Sequence, residues 1–392
     1  MRLHATTLIY LAFHPTYVKR GDWVFSVAGH HPSSYKTARS VYDFSQRALP
    51  LVLSSAMKFI SQLLPALVAV SGLAQASAVV PRTDDGFFPE FVDALNKHNL
   101  TILADNYQRI ADTPAGKSIV DTLENNELTI LATKDCAFEN KDTNIDPRVI
   151  QYNTLWGSID KGFKTTTHTR RGADTQSRSV AQSTFKRSSA PNRKRQDQAG
   201  NFQSQVIDKL TSNRRKRWND ETILVDLPVG TAKVVDRFSL KNIIVLIIDT
   251  ALSLPGKVSD LLCKPLIKSA PNGLTKFGEA LKKVGLSDLV DTKDAITIFA
   301  PIDESLDKID ELSDDNLASL LKNHFFFGQI VYSPLFLKVC KATAQSGKEL
   351  EFLYENSIHY VSCGKSRAMV LRSDVIPSNG VLHVIDRPLK CD

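Results

Sequence analysis

Motifs that mark the common classes of enzyme are missing from the sequence. It contains no G-x-S-x-G, H-E-x-x-H, G-x-x-x-x-G-K-S/T or G-x-G-x-x-G, the patterns that position a nucleophile, a metal ion or a phosphate. Acidic residues and histidines occur, but no spacing singles out a pair for acid–base chemistry. The sequence therefore favours a binding protein over an enzyme, and it predicts no catalytic residue and no cofactor.

Cysteine is scarce, and its spacing does not match a metal site. The chain has five cysteines in 392 residues, without a C-x-x-C pair, and none of the usual zinc spacings is present. His359 and Cys363 lie in a stretch that reads as a strand, where four positions separate two side chains by about 13 Å. That distance is too long for one ion, so no metal site is predicted.

A hydrophobic run long enough to cross a bilayer is also lacking, since a spanning helix needs about 20 apolar residues. The most informative apolar stretch, residues 57–78, reads MKFISQLLPALVAVSGLAQASA and is interrupted by polar residues. Its positive start, apolar centre and small-x-small end are the parts of a secretory signal peptide. We therefore expect residues 57–78 to be a signal peptide and residues 1–56 to be a disordered upstream extension. The mature protein is then secreted and has no membrane span.

The sequence contains an internal repeat. Residues 128–135 (LTILATKD) align with 296–303 (ITIFAPID), and residues 242–249 (NIIVLIID) align with 379–386 (NGVLHVID). Each of these boxes is a β-branched, apolar run that predicts a buried strand ended by a polar residue. An amphipathic helix pattern opens each copy. Because helices come first and strands follow, the predicted fold class is α+β.

Three segments of the second copy resemble the signature boxes of the fasciclin domain in its fungal form; they are TIFAPIDESL, LLKNHFFFG and SNGVLHVID. The resemblance is strong over residues 270–391, and it is weaker but in the same order over residues 84–257. It implies two tandem fasciclin-like domains, each a wedge of two small β-sheets with packed helices. It also implies a role in cell adhesion and in matrix or cell-wall association rather than catalysis.

The central Tyr-His pair of that family is split between the two copies. The first copy has Tyr152 and Asn153, and the second copy has Asn323 and His324. His324 lies in the most apolar stretch of the second copy, so we expect a neutral, hydrogen-bonded core residue. The remaining signature positions are Asp135, Asp303, Asp249, Asp386 and His383.

The first copy carries a basic insertion at about residues 161–220, which holds most of the excess charge in a chain of net charge +7. Such a composition offers little to bury, so the insertion is predicted to be disordered. Three interpretations remain open: a solvated loop or an unremoved intron, a site of proteolytic processing at Arg187 or Arg217, and a polyanion-binding loop. Aromatic residues are hardly interleaved with the basic residues of the insertion, which argues against nucleic acid as a partner.

The cysteines around the second copy suggest two disulfides. Cys340 and Cys363 flank a predicted hairpin, while Cys263 precedes the copy and Cys391 follows it. We therefore expect the pairs Cys340–Cys363 and Cys263–Cys391, with Cys136 left free. Disulfides of this kind are typical of secreted proteins.

These patterns predict a secreted, extracellular and non-enzymatic protein that acts in adhesion or in matrix or cell-wall interaction. Its expected partner is an extracellular protein or a glycan. The sequon at Asn99 is a candidate for N-glycosylation in the secretory pathway. The alternatives are a proprotein that is cut within the basic insertion and a secreted polyanion-binding protein.

Overall fold

The computed structural model describes residues 86–138, 143–163, 166–171, 174–187, 201–212 and 220–391. The expected signal peptide and upstream extension, as well as Arg217, lie outside the described residues. We refer to residues 86–257 as the N-terminal half and to residues 258–391 as the C-terminal half.

Helices open the N-terminal half and strands make up most of the rest. The third helix shows why these segments are helical: Pro114 occupies its first turn, and the hydroxyl of Thr113 accepts a hydrogen bond from the Gly116 amide, which caps the helix. The elements are α1 (Phe87–Lys97), α2 (Thr101–Ala111), α3 (Pro114–Asn125), β1 (Leu128–Thr133), α4 (Pro147–Tyr152), β2 (Thr154–Trp156), β3 (Thr166–Arg171), β4 (Asp174–Lys186), β5 (Phe202–Ser212), β6 (Asp220–Asp226), β7 (Thr231–Leu240) and β8 (Ile243–Ile248).

The C-terminal half follows the same order of helices and then strands. Its elements are α5 (Val258–Leu262), α6 (Thr275–Lys283), α7 (Ser287–Thr292), β9 (Ile296–Pro301), α8 (Asp314–Lys322), β10 (Phe325–Phe326), α9 (Phe336–Val339), β11 (Lys341–Thr343), β12 (Glu349–Glu355), β13 (Ile358–Cys363), β14 (Ser366–Val375) and β15 (Gly380–Ile385). The α+β class predicted from the sequence is confirmed.

The sheet of each half is centred on a parallel pair of strands. In the N-terminal half the strand order is β2-β1-β8-β7-β6-β5-β4-β3, with a further pairing of β2 and β4. In the C-terminal half the order is β10-β9-β15-β14-β13-β12-β11. The parallel pairs are β1 with β8, in register from Leu128 and Ile243, and β9 with β15, in register from Ile296 and Gly380. The first and the last box of each copy therefore lie side by side.

The central strands are buried on both faces, which explains why their sequences are continuous apolar runs. One face of β1 and β8 packs on helices α1 to α3, and the other face packs on apolar residues of β5 and β6, such as Ile207 and Ile223. In the C-terminal half, Ile298 faces the helices while Phe299 faces Phe336 and Phe352. No helix within the described ranges is long and apolar enough to cross a membrane.

The predicted disorder of the basic insertion is wrong for its described part. Residues 174–186 and 202–212 form β4 and β5, which pair antiparallel over most of their length. The composition does not indicate these strands, because several of the residues that they bury are polar, among them Ser179, Gln203 and Gln205. Low hydrophobicity does not imply disorder in these strands, because they bury polar groups beside the C-terminal half.

Candidate functional site

The same aspartate cap occurs in both halves of the protein. The Asp135 carboxylate accepts hydrogen bonds from the amide of Thr101, at 2.8 Å, and from its hydroxyl, at 2.6 Å. The Asp303 carboxylate accepts the corresponding bonds from Thr275, at 3.1 and 2.7 Å. Each aspartate is the last residue of the first box and satisfies amides at a helix N-terminus, where a negative charge is favoured.

The last box of each half also ends on an aspartate with the same partners. Asp249 accepts from the Lys233 amide at 2.8 Å and donates its own amide to the Lys233 carbonyl. Asp386 makes the corresponding pair of bonds with Met369, the first of them at 2.7 Å. The signature aspartates therefore hold strands and helices together, and their carboxylates are engaged by the backbone.

The split Tyr-His positions lie at equivalent places. The Asn153 carbonyl accepts from the Leu131 amide, and the His324 carbonyl accepts from the Phe299 amide, so Asn153 and His324 occupy the same position beside the first strand of each half. The Oδ1 atom of Asn153 is buried and has no hydrogen-bond partner in the described part of the chain.

His324 is held as a neutral imidazole. Its Nδ1 lies 2.9 Å from the Leu320 carbonyl and donates to it, while its Nε2 accepts from the Leu389 amide at 2.9 Å. These two partners fix the tautomer. Burial lowers the pKa of His324 to about 4, since the charged form would lose its hydration. The neighbouring Asn323 donates to the Leu389 carbonyl at 3.0 Å, so both residues secure the C-terminal segment.

His383 is buried as well, and its tautomer is the opposite one. Its Nε2 donates to the Val331 carbonyl at 3.0 Å, and its Nδ1 accepts from the Asp374 amide at 3.3 Å. Burial lowers the pKa of His383. Both ring nitrogens of both histidines therefore have backbone partners, and neither ring is placed to act on a ligand.

Residues that the sequence reading did not single out join the two halves. Arg178 of β4 lies among three carboxylates: its guanidinium bonds Asp208 at 2.7 Å, Asp226 at 3.0 Å and Asp374 of the C-terminal half at 3.4 Å. Burial opposes the charge of Arg178, but the three acids outweigh burial and raise its pKa. The only sequence signal for this cluster is the charged residue itself, because its partners are far apart along the chain.

Asp374 is the most deeply buried member of this cluster. It has a φ of 62° in the bulged strand β14, and the Ser333 amide donates to its carboxylate at 2.7 Å. Burial alone would raise the pKa of Asp374. His383, Arg178 and the hydrogen bonds from Ser333 outweigh burial, so this pKa lies below its ordinary value and the carboxylate is charged.

A second set of contacts between the halves is made by backbone carbonyls. Arg372 of β14 donates to the carbonyls of Leu227 and Pro228 in the N-terminal half, the latter at 2.7 Å. Gln203 of β5 donates to the Pro377 carbonyl at 2.7 Å. Strands of the basic insertion and of the neighbouring hairpin therefore form the contact surface with the C-terminal half.

Arg187, one of the two residues predicted as processing sites, has a buried side chain. Its side chain is 2% exposed and pairs with Asp294 of the C-terminal half at 3.4 Å, and its amide donates to the Asn201 carbonyl. Residue 188, on the other side of the bond that would be cut, lies outside the described residues, so processing at Arg187 stays a prediction.

The two predicted disulfide pairs are wrong. The structure joins Cys363 to Cys391, with a Cα–Cα distance of 4.9 Å. Cys340 precedes β11, and β12 lies between β11 and β13, so Cys340 and Cys363 are about 10 Å apart, beyond the reach of a disulfide. Cys263 follows α5 on the helical side of the C-terminal half. Cys136, Cys263 and Cys340 are free and exposed.

The last candidates from the sequence are the glycosylation site and a metal site. Asn99 is exposed in the turn between α1 and α2, with a φ of 55°, and N-glycosylation there stays a prediction. Among the described residues, no three His, Cys, Asp or Glu side chains are grouped so that they could hold a metal ion.

The comparisons with known proteins agree with the signature boxes of the C-terminal half. Residues 272–391 match the family model of the Fasciclin domain. The chain is 26% identical over 177 residues to the Fasciclin-like arabinogalactan protein elcF of Phaeosphaeria nodorum (strain SN15), over 44% of this chain and 54% of that protein. The chain thus spans about half the length of this curated relative.

A solved structure of a FAS1 domain pair from the insect cell adhesion molecule Fasciclin I is similar at 18% identity and a TM-score of 0.34, over 75% of this chain and 98% of that one. Residues 272–391 are therefore similar to a fasciclin domain. Proteins of this family are generally adhesion-related, typically extracellular or at the cell surface, and typically not enzymes.

Proposed function

We propose that this protein is a secreted, non-enzymatic adhesion protein that binds matrix or cell-wall material through two fasciclin-like domains, residues 84–257 and 270–391. The observation that carries the proposal is the hydrogen-bond framework that both halves share around the fasciclin signature positions. The expected partner is an extracellular protein or a glycan.

The shared framework extends beyond the two aspartate caps. Thr129 of β1 donates its hydroxyl to the Gly157 carbonyl at 2.9 Å, and Thr297 of β9 donates to the Gln329 carbonyl at the same distance. In each half, an asparagine before the last strand bonds two carbonyls at the end of a helix; they are Asn242 in the N-terminal half and Asn379 in the C-terminal half. Because both halves share these hydrogen bonds, we infer that the N-terminal half is a second, more divergent fasciclin-like domain.

The state of the histidines supports a binding function over catalysis. A general base needs a free lone pair within reach of the proton that it removes. In His324 and His383 both ring nitrogens are used within the fold. These two histidines therefore stabilise the fold, and we expect the protein to bind its partner through its surface.

The proposal is tested with the full chain, purified from the culture medium of an expressing cell and coupled to beads. We expect the beads to adhere to cell-wall or matrix preparations, and we expect soluble protein to compete for the adhesion. Beads coated with serum albumin are the control. Adhesion no greater than that of albumin beads, or turnover of glycan or peptide substrates by the pure protein, would contradict the proposal.

Secretion is tested separately by the intact mass of the protein in the medium. A signal peptide at residues 57–78 predicts a mature chain that begins at or near Val79. A secreted chain whose mass includes residues 1–56 would contradict this part of the proposal.

A further inference from the structure

A polar cavity of about 230 Å³ lies at the junction of the two halves. Its volume corresponds to roughly seven water molecules at about 30 Å³ each. The N-terminal half contributes the loops after β6 and β8 together with Tyr152 and Gln205, and the C-terminal half contributes Lys264 and β14 with the residue after it. The lining includes Tyr152, Gln205, Asp226, Leu252, Arg372 and Ile376.

The side-chain nitrogen of Gln205, Nε2, has no hydrogen-bond partner in the described part of the chain. Gln203 and Gln205 lie two positions apart on β5, and both are 2% exposed. The Gln203 amide donates to the Pro377 carbonyl, whereas the Gln205 Nε2 is buried without a partner among the described residues. A buried nitrogen without a hydrogen-bond partner costs free energy, and Gln205 is one of the residues that line the cavity.

Two charged residues of the cavity wall, Asp226 and Arg372, already have polar partners, while Lys264 is exposed. Asp226 pairs with Arg178 through one carboxylate oxygen, and the guanidinium of Arg372 bonds carbonyls from both halves. The second oxygen of Asp226 remains able to accept, since a carboxylate has two oxygens with two lone pairs each. Burial raises the pKa of Tyr152, so its hydroxyl stays protonated and can donate.

The cavity also offers an apolar surface. Leu252 and Ile376 line it from the two halves, and Val229 lies at the turn after β6 with about half of its surface exposed. The cavity wall thus combines hydrogen-bond donors, hydrogen-bond acceptors and aliphatic side chains, and it holds as many acidic residues as basic ones. A neutral ligand that has hydroxyls on its edges and C–H groups on its faces fits this set.

We propose that this cavity binds a single neutral sugar ring, a pyranose, with Gln205 as the residue that recognises one of its hydroxyls. The terminal torsion of a glutamine is broad, which lets the amide turn toward the ligand. The size of the cavity suits one ring rather than an extended chain. This site does not depend on the adhesion function proposed above, since a soluble sugar can occupy it.

The test uses the full chain and a panel of methyl pyranosides of glucose, galactose, mannose and xylose, with glucuronic acid as a charged comparison. Binding is measured by saturation-transfer NMR and by titration calorimetry. We expect at least one neutral pyranoside to saturate the protein with a Kd of about a millimolar or tighter. The proposal is overturned if no neutral pyranoside saturates by about 50 mM, or if only the charged sugar binds.

The decisive variants are Gln205→Leu and its matched control Gln203→Leu. Because the Gln205 Nε2 has no hydrogen-bond partner among the described residues, Gln205→Leu should change the Tm little, and it should weaken sugar binding by about tenfold. Gln203→Leu removes a hydrogen bond between the halves, so it should lower the Tm while binding persists at temperatures where the variant is folded. Unchanged affinity in Gln205→Leu refutes the assignment.

A second variant tests the position of the ligand without touching the core. Val229→Arg places a long side chain at the exposed turn beside the cavity, so it should weaken binding and keep the Tm. Adhesion of beads coated with Gln205→Leu is measured in parallel. If adhesion persists while sugar binding is lost, the sugar site and the adhesion function are separate properties.

Discussion

Arg178 of β4 and Asp374 of β14 are 196 positions apart in the sequence, yet their side chains meet at 3.4 Å. The same guanidinium binds Asp208 and Asp226 of the N-terminal half. One guanidinium thereby contacts three carboxylates at the contact between the halves, and the charge of each group depends on the others. This arrangement fixes the halves to each other through the insertion rather than through the fasciclin signature positions.

Loss of the Arg178 charge should strongly destabilise the protein. In Arg178→Met the three carboxylates remain partly or fully buried without their counter-charge, which costs about 3–5 kcal/mol. The free energy of unfolding is measured by urea denaturation. The matched control is Arg237→Met, because Arg237 pairs with Asp160 while both side chains are 42% exposed; its cost should stay below about 1 kcal/mol. Equal losses in the two variants would contradict the importance of the cluster.

The two aspartate caps should contribute equally and independently. Asp135→Ala and Asp303→Ala each leave the N-terminal amides of a helix without their acceptor, which costs about 1–2 kcal/mol. The caps belong to separate cores, so the double variant should show the sum of the two losses. Asp105→Ala on the exposed face of α2 is the control and should change the free energy of unfolding by less than about 0.5 kcal/mol. A large effect in one half alone would show that the two caps differ in function.

His324 should make stability depend on pH between about 4 and 6.5. Burial lowers its pKa to about 4 in the folded protein, whereas an unfolded histidine has a pKa of about 6.5. Within this window the unfolded chain binds a proton that the folded protein does not, so stability falls as pH falls. The stabilisation is complete above pH 6.5, and about 2 kcal/mol of it is lost by pH 5.

The comparison that isolates this effect is wild type against His324→Gln, in urea denaturation at pH 7.5 and pH 5. At pH 7.5 the variant should be less stable by about 1–3 kcal/mol, because two backbone groups lose their partner. At pH 5 the difference should shrink by about 2 kcal/mol, since the variant has no imidazole to protonate. His383 is present in both proteins, so its titration cancels. A difference that does not change with pH would show that His324 has an ordinary pKa.

The disulfide should connect Cys363 to Cys391 and should stabilise the C-terminal segment. Peptide mapping without reduction should yield that pair, with Cys136, Cys263 and Cys340 open to alkylation. For a sequence separation of 28, the chain-entropy relation gives a stabilisation of roughly 3–4 kcal/mol. Cys391→Ser should lose about this much. Recovery of a Cys340–Cys363 peptide from the native protein would refute the assignment.

Local patterns in the sequence predicted the parts of the fold that they encode directly. The boxes at residues 128–135 and 296–303 are apolar runs that end in Asp, and each became a buried strand followed by a helix cap. The disulfide could not be read in the same way, because it depends on which strands are neighbours. Cys340 and Cys363 looked like the ends of one hairpin, but the structure places a third strand between theirs.

The contact between the halves was hidden for a different reason. Arg178, Asp208 and Gln203 are polar, and a polar strand residue is normally solvated. Each of them is satisfied by a partner far away in the sequence, such as Asp374 or Pro377. Composition alone does not distinguish such a strand from a solvated loop, since the distinction lies in the partners.

The parallel pairing of the first and last strands has a consequence for the synthesis of the protein. Non-local pairing slows folding, because the entropy of closing a long loop is lost before the contact forms. As the chain leaves the ribosome, the apolar strand β1 stays without its parallel neighbour β8 until Ile248, at the end of β8, has emerged. Throughout that interval the nascent chain exposes an unpaired apolar edge, the kind of surface that chaperones bind. Emergence of β8 is the event that turns the nascent N-terminal half from an open chain into a closed sheet.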